Sequence, residues 1–557
     1  MSNLKIIPLG GVDEIGKNMT AYEYEDDIVI VDCGCMFPDP SQVGVSMIIP
    51  DFEYLRENIS RIRALVITHA HEDHITAIPF FTKEFPSVPI YASKFALEVI
   101  RCKLEDSMIS MNPNIFKEID PNSKLELGCF KLEFVHVNHS IPESMGIALH
   151  TPVGTVYHSG DFRIDLTPAG SQSPTDLSRL AKLGDKGILA LVCESTNAER
   201  SGFSPSEKIV GDSLDLLFLK YQYNRIILST FASNINRIQT VIEVAEKYGR
   251  KIAFTGRSME RLVGIAKKDG YISYKDETII DIYTASEAPP EKVVIVTTGS
   301  QGEMMSALQR MSTGEHRDVT LNNKDIVILS SSTIPGNEKM VNKVVNSLAK
   351  QNIRVIKSTP AIPLHVSGHA YQEEIRLLYS LLKPKYFIPM HGESVHLLTN
   401  AENIAAMGMP KQNIIIPYLG AVIEVNKKKI EITRAVHAGP VLIEGFTTTD
   451  ISPAVIFERR QMAQNGIVII LVTLNTRTKS IVGEPEIISK GFAYVHDSSE
   501  INFNLIRLAK EAVHNNITVT GINWRGIKKQ IKDTGLRYIS GKAQRTPLVL
   551  PIIVSSR

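Results

Sequence analysis

Three imidazoles and two carboxylates fall within six consecutive residues, His69-Ala70-His71-Glu72-Asp73-His74, directly after Thr68 and the apolar run Ala64-Leu65-Val66-Ile67. A strand that ends in such a cluster delivers its side chains to one spot at a sheet edge. Imidazole combined with carboxylate suits zinc or manganese, and the lack of cysteine argues against a closed structural zinc site. His69 and His71 stand two apart, so on an extended turn both can face one ion. Asp73 and His74 lie one step further and can reach a second. Two ions about 3.5–4 Å apart form a clamp for in-line hydrolysis of a phosphate ester.

Other groups of the same kind recur at expected strand ends. His139 lies in His139-Ser140-Ile141-Pro142, Asp161 in His158-Ser159-Gly160-Asp161, and His391 in His391-Gly392-Glu393. Each sits beside Gly, Pro or Ser after an apolar run. Such positions expose side chains at the edge of a sheet, where α/β proteins place their ligands. The segment Gly10–Gly16 invites a dinucleotide-loop reading, but its glycine spacing does not fit and no suitable acidic partner follows.

The elements that must position these groups read as strands at 4–9, 28–31, 64–67, 88–91, 130–137 and 154–158, with a helix at 93–104. From about Phe203 the pattern becomes regular strand–helix alternation. Strands are expected at 225–229, 251–255, 292–297, 325–329 and 353–356, and helices at 235–248 and 259–268. A strand at 385–390 then ends in His391, far from the first cluster, as when one domain interrupts another. Further on, strands at 466–472 and 491–495 and a helix at 502–515 make a small separate α/β domain. The fold class is therefore α/β in layers.

The 557 residues suffice for about three domains. At 43% hydrophobic and 22% charged, the composition is that of an ordinary soluble protein. The net charge of +1 provides no global basic field, so a nucleic-acid ligand would be held by local groups or by metal ions. Basic runs such as Lys427-Lys428-Lys429 read as solvated faces. Five cysteines without a C-x-x-C pair fit a reduced compartment. No signal-peptide layout and no apolar stretch of membrane length are visible, so a cytoplasmic location is expected.

The order of these groups resembles the metallo-β-lactamase superfamily, and the contexts of His139, Asp161 and His391 resemble its β-CASP nucleases. Longer phrases are similar to the bacterial ribonuclease J family over essentially the whole chain. They include Pro8-Leu9-Gly10-Gly11-Val12-Asp13-Glu14-Ile15-Gly16-Lys17-Asn18, Thr230-Phe231-Ala232-Ser233-Asn234, Thr298-Gly299-Ser300-Gln301-Gly302-Glu303, the 331–337 phrase Ser-Ser-Thr-Ile-Pro-Gly-Asn and His365-Val366-Ser367-Gly368-His369. The resemblance implies a metallo-β-lactamase αββα sandwich at 1–203 and 370–430. A β-CASP α/β domain is inserted at 204–369, and a linker at 431–455 leads to a small C-terminal α/β domain at 456–557.

The resemblance also implies roles. His69, His71 and His139 would hold one ion; Asp73, His74 and His391 would hold the other; Asp161 would bridge them. Zinc is the expected metal, with manganese or magnesium as alternatives. A water activated between the ions would attack the phosphorus, oriented by Asp73, while His369 serves as general acid supported by Glu194. Ser233, Asn234, His365, Ser367, Gly368 and His369 would contact RNA phosphates. For Ser233 and Asn234 a helix N-cap is the structural alternative, and both uses are compatible. Asp32 and Gly34 match a motif near the site but are not counted as ligands. His136, His150 and His158 are expected to be packing residues.

The implied activity is a 5′-to-3′ exoribonuclease preferring a 5′-monophosphate, with endonuclease activity, in mRNA decay and rRNA maturation. Single-stranded RNA is the expected partner. A homodimer, a homotetramer or a hetero-oligomer with a paralogue is the expected assembly. Two departures stand out: Ala70 where the family has glycine, and Cys193-Glu194 where it more often has serine and aspartate. Bacteria with this family often carry two paralogues, the second the weaker enzyme. The competing reading is thus a weakly active structural or regulatory subunit. A DNA-acting relative tends to carry an apolar residue at the last β-CASP motif, where this chain has a histidine, and a small-substrate hydrolase would lack the insertion.

Overall fold

The structure is a computed structural model that describes residues 2–39, 41–109, 112–170, 172–303, 305–334, 337–445, 451–492, 498–518 and 521–556. Pro335 and Gly336 of the 331–337 phrase, His496 and positions 493–495 of the expected 491–495 strand lie outside these residues. The chain divides into two compact units, Met1–Met36 with Ile48–Val441, and Phe37–Met47 with Leu442–Arg557.

Two sheets dominate the first unit. One runs Ile430–Ala435, Ala421–Val425, Leu4–Gly10, Met19–Tyr24, Asp27–Val31, Ile62–Val66, Ile90–Ala92 and Phe116–Glu118 from edge to edge. The other runs Tyr386–Met390, Ala190–Glu194, Gly154–His158, Met145–Thr151, Phe130–His136 and Lys124–Leu127. Alternate residues decide what each face buries. Leu4, Ile6, Val29, Val31 and Val66 from the first sheet share one core with Phe134, Ile147, Val156 and Ile388 from the second. On the outer face of the second sheet, Leu180 and Leu183 of helix Leu177–Lys186 and Ile375 and Leu378 of helix Gln372–Leu382 pack on Val135, Tyr157, Leu191 and Phe387. Strands covered on both faces must be apolar throughout. Ala190–Glu194 and Tyr386–Met390 are buried at every position.

Strands from the far part of the chain complete both sheets. Tyr386–Met390 lies parallel to Ala190–Glu194, and Ala421–Val425 lies antiparallel to Leu4–Gly10. Between these two pieces, a separate sheet is built from Lys251–Thr255, Val293–Thr297, Ile226–Ser229, Ile326–Leu329 and Arg354–Lys357, all parallel. Their β-branched runs need no polar face, because helices cover both sides. The fold is thus a metallo-β-lactamase sandwich with an inserted α/β domain, as the sequence led us to expect.

The stretch expected as a linker, 431–455, is not a bare connection. Its start belongs to strand Ile430–Ala435, which returns from the exposed Lys427–Lys429 turn to pair with Ala421–Val425. Pro440–Ile443 is a further strand, and helix Pro453–Asn465 begins before the expected boundary.

In the second unit the nine-residue strand Ile467–Asn475 alternates buried and half-buried residues. It pairs with Ser480–Ile481, Glu486–Lys490 and Leu548–Ser556. Val468, Ile470, Val472 and Leu474 pack on Leu505 and Ala509 of helix Ser498–Asn515 and on Ile527, Ile531 and Ile539 of helix Trp524–Ala543. Glu486–Lys490 is a strand that the sequence did not single out, and Gly491, with a φ of 65°, follows it. This strand pairs with Ile467–Leu471 of the long strand.

One carboxylate ties the insertion to the sandwich. Glu374 is fully buried and accepts from Ile164 N at 2.8 Å, Ser204 N at 2.7 Å, Ser204 Oγ at 2.8 Å and Tyr371 N at 2.8 Å. It therefore gathers the loop after Asp161, the start of the insertion and its end. We expect Glu374→Ala, which leaves these donors without an acceptor, to destabilise the protein by at least about 3 kcal/mol, measured as the loss in urea-unfolding free energy by far-ultraviolet circular dichroism.

Candidate metal centre

Strands Asp27–Val31 and Ile62–Val66 run parallel and end together. Asp32, just past the first, adopts a φ of 62° and turns its carboxylate onto the second chain end. Its Oδ1 accepts from Thr68 N at 2.8 Å, and its Oδ2 accepts from Thr68 Oγ1 at 2.8 Å and pairs with His74 Nδ1 at 2.8 Å. That bond puts the proton on Nδ1 and leaves the Nε2 lone pair for a ligand. His71 caps a single helical turn, Glu72–Ile75, so Asp73 and His74 project from its start. Gly34 lies under this turn, where a Cβ would collide with the Asp73 carbonyl. Ala70 has no positive φ, so the methyl group that replaces the family's glycine is accommodated.

The remaining groups arrive from the second sheet. His139 follows Phe130–His136, and its Nδ1 lies 2.6 Å from the Gly368 carbonyl, which again frees Nε2. Asp161 follows Gly154–His158 through Gly160, whose φ is 57°. His391 follows Tyr386–Met390 with a φ of 52°. Neither ring nitrogen of His391 has a hydrogen-bond partner among the described residues, although both are buried. A buried imidazole with no hydrogen bond to either nitrogen offers its lone pair to a metal ion.

Two ligand sets converge: His69, His71, His139 and Asp161, and Asp73, His74, Asp161 and His391. In the first, His71 Nδ1 lies 3.1 Å from His69 Nε2 and 2.9 Å from His139 Nε2, and Asp161 Oδ2 lies 3.7 and 3.8 Å from the latter two. In the second, Asp161 Oδ2 lies 3.2 Å from His74 Nε2 and 3.4 Å from His391 Nε2, and Asp73 Oδ2 lies 3.4 and 3.6 Å from the same nitrogens. Zinc bonds of about 2.0–2.1 Å in a tetrahedron hold ligand atoms about 3.3 Å apart. The donor chemistry and the spacings therefore both fit a divalent ion in each set.

The two sets differ electrically. Burial, together with neighbouring imidazoles, holds His69 and His139 well below the usual histidine range, and burial takes His71 down to about 4. His74 is raised: burial opposes its charge, but Asp161, Asp73 and Asp32 outweigh it. His391 is raised likewise by Asp161 and Asp73 against the effect of burial.

Beside the second set, His369 Nδ1 lies 2.8 Å from Glu194 Oε2, whose other oxygen accepts from Phe162 N at 2.8 Å. The glutamate's extra methylene thus does not prevent contact with the imidazole. Burial would lower His369, yet Glu194 and Asp161 raise it to about 9. Ser367 Oγ accepts from Asn197 Nδ2 at 2.7 Å and from His369 N at 3.2 Å, which shapes the loop that carries Gly368. Gly368 packs so closely that a Cβ would press on the His139 ring. Asn234 caps helix Ile235–Lys247 through Arg237 N, and Ser233 is half-buried beside it. His365 faces the Phe231 ring, and its Nδ1 is buried without a partner. Burial and the cations of Arg237, Arg200 and Arg163 lower it to about 3.

Family models match along the chain: Metallo-beta-lactamase superfamily at residues 12–177, Ribonuclease J beta-CASP domain at 223–348, Zn-dependent metallo-hydrolase RNA specificity domain at 362–417, and Ribonuclease J C-terminal domain at 454–556. The chain is 39% identical to the ribonuclease J of Mycolicibacterium smegmatis, over 99% of this chain and 97% of that protein. It is 39% identical to ribonuclease J 1 of Streptococcus pyogenes, over 100% and 99% of the two chains. This chain belongs to the ribonuclease J family. Ribonuclease J2 of Bacillus subtilis is 37% identical over 99% of this chain and 98% of that protein, so identity does not separate the paralogues. Among solved structures, a protein of unknown function from Enterococcus faecalis matches with a TM-score of 0.55 at 15% identity, over 76% of this chain and 100% of that one. That likeness concerns the fold alone. As a ribonuclease J family member with these His/Asp clusters, the protein is a metal-dependent, RNA-binding nuclease that binds divalent metal. No helix among the described residues is long and apolar enough to cross a membrane.

Sequence reasoning left out several residues that shape the ribonuclease J site. Asn18 Nδ2 lies 3.2 Å from His74 Nε2 and 3.3 Å from Asp73 Oδ2. Arg163 donates to Asp165 at 2.8 Å and to the Pro205 and Ser367 carbonyls, and Asn197 holds Ser367. Each lies within or beside a recognised phrase, but only the folded chain reveals its partner. His158 is a packing residue as expected, with Nδ1 2.8 Å from Tyr22 Oη. His136 and His150 hold Ser173 O and Glu133.

The electrical difference has a consequence for metal uptake. Because His74 and His391 are raised while His69, His71 and His139 are lowered, an ion entering the second set has more protons to displace than one entering the first. Calorimetric metal titration in two buffers of different ionisation enthalpy should therefore show proton release for one class of site and almost none for the other. On acidification the Asp73/His74/His391 set should lose its ion first.

Proposed function

We propose that this chain is a two-ion ribonuclease of the 5′-to-3′ exonuclease type, preferring a 5′-monophosphate and also cutting internally. Its work would be mRNA decay and rRNA maturation in the cytoplasm. The observation that carries this reading is the single oxygen Asp161 Oδ2, placed 3.2–3.8 Å from nitrogens of His69, His74, His139 and His391, with His369 3.7 Å away. One carboxylate shared by two ligand sets is the arrangement a two-ion phosphodiesterase needs.

Divalent ions in these sets, zinc or alternatively manganese or magnesium, would supply Lewis acidity and an activated water. The remaining work falls to side chains. His69, His71 and His139 would hold one ion and Asp73, His74 and His391 the other, with Asp161 within reach of both sets. Asp73 also orients the attacking water. His369 is the general acid: Glu194 takes its Nδ1 proton in a hydrogen bond, so Nε2 is the position from which a proton passes to the leaving oxygen. Ser233, Asn234, His365, Ser367 and Gly368 contact backbone phosphates. Helix Ile235–Lys247 supports this, because its N-terminus turns positive dipole ends toward an anion. The division we propose is 1–203 and 370–430 for the sandwich, 204–369 for the insertion and 456–557 for the C-terminal domain. Assembly as a homodimer, a homotetramer or a hetero-oligomer with a paralogue belongs to the same reading.

The test uses a 3′-labelled, 5′-monophosphorylated single-stranded RNA and the purified protein. Progressive loss from the 5′ end is expected, with Asp73→Ala and His369→Ala each lowering the rate by about 10²–10⁴-fold. No cleavage by the pure chain, with cleavage gained on adding a paralogue, would point to the subunit role instead. Glu194→Gln removes the charge that raises His369. Because a general acid must be protonated, the alkaline limb of the pH–rate profile should then move to lower pH.

A further inference from the structure

The loop between strands Leu4–Gly10 and Met19–Tyr24 contains none of the residues assigned above to catalysis. Within it Gly11, Asp13, Gly16 and Lys17 have φ of 78°, 60°, 106° and 54°. Left-handed conformations at the two non-glycine positions cost free energy and persist only where surroundings enforce them.

What enforces them is contact with two ligands far apart in the chain. At one end, Gly11 O accepts from His391 N at 2.8 Å, Gly392 bridges to Val12 and Glu14, and Ser394 Oγ donates to Asp13 at 2.6 Å. At the other end, Asn18 N donates to Asp73 O at 2.9 Å, and Asn18 Nδ2 reaches Asp73 Oδ2 at 3.3 Å. The two ends are joined inside the loop. Glu14 Oε1 accepts from Gly11 N at 3.1 Å and faces Lys17 Nζ at 2.7 Å. The Lys17 side chain is 0% exposed, and its ammonium has no other partner among the described residues. The His69, His139 and His71 side chains contact Thr68, Gly368 and Ser140 respectively, not this loop.

We propose that the Lys17–Glu14 ion pair sets the separation of Asp73 from His391 and thereby the affinity of that ion position alone. Lys17 and Glu14 are positioning residues, and the inference rests on the two-ion reading. Without the pair, the end that grips Asp73 and the end that grips His391 move independently, while the three-histidine set keeps its own supports. Lys17→Met retains the aliphatic stem and leaves Glu14 partly solvated. Glu14→Gln keeps an acceptor for Gly11 N but leaves the buried ammonium without its counter-charge.

The experiment titrates Co²⁺ into the metal-free full-length protein and follows calorimetry and visible absorption. Lys5→Met, which breaks a Lys–Glu pair in the same sheet (Lys5–Glu23, 2.6 Å), serves as the control. Wild type and the control should take two equivalents. Lys17→Met and Glu14→Gln should keep one at unchanged affinity and weaken the other by about tenfold or more, the scale of other supporting contacts to metal ligands. Unchanged binding of both ions in both variants, or equal weakening of both ions, overturns the inference. A wild type that takes only one equivalent overturns the two-ion reading and the inference with it.

Discussion

Burial of the Asp161 carboxylate among imidazoles is the constraint on which the rest of the site depends. Such a group is expensive to hide from water unless positive charge surrounds it. Here five histidines point at one oxygen within 3.8 Å, and two further acids, Asp73 and Glu194, lie close by. The surroundings must therefore do two opposed things. They must keep three imidazoles neutral as lone-pair donors, and they must keep the carboxylates charged. Burial achieves the first at His69, His71 and His139, and the Gly368 carbonyl, accepting from the His139 Nδ1–H, leaves that ring's Nε2 lone pair free. Convergence of the imidazoles achieves the second, since their positive ends hold Asp73 and Asp161 below the usual carboxylate range against the effect of burial.

The fold can be seen as the means of bringing those groups together from distant places. The first sheet supplies His69 to His74; the second supplies His139, Asp161, Glu194 and His391. Only the insertion's exit, at Ser367 to His369, brings the remaining imidazole. Glu374 and Arg163 lock that exit against the loop after Asp161, so His369 is referenced to the same carboxylate as both ligand sets. The inserted sheet thus contributes to chemistry through its connections as well as through its own rim.

Much of this was legible in the sequence. The buried strands showed as unbroken β-branched runs, and the histidine cluster after 64–67 named its own chemistry. Most boundaries moved by a residue or two, but the helix expected at 502–515 spans Ser498–Asn515 and the strand expected at 466–472 spans Ile467–Asn475. What stayed hidden has physical reasons. Strand Met19–Tyr24 is buried throughout, yet it reads Met-Thr-Ala-Tyr-Glu-Tyr, with its glutamate neutralised by Lys5 and Arg61. Strand Leu548–Ser556 contains Pro551, and helix Trp524–Ala543 contains three glycines, signals that normally argue against such elements. Of the site, ligand types were readable, but Asn18, Arg163 and Asn197 were not, because their partners lie far away along the chain. For Asn234 the N-cap is present, so both of its expected uses remain compatible.

The sheet order carries a consequence for how the protein is made. Leu4–Gly10 waits for Ala421–Val425, made more than four hundred residues later, and Ala190–Glu194 waits for Tyr386–Met390. Until His391 has been synthesised, the emerging polypeptide has only part of its ligand cluster. A nuclease built in this order is born unarmed, its candidate ligand cluster incomplete until the strand that ends at His391 has joined its sheet.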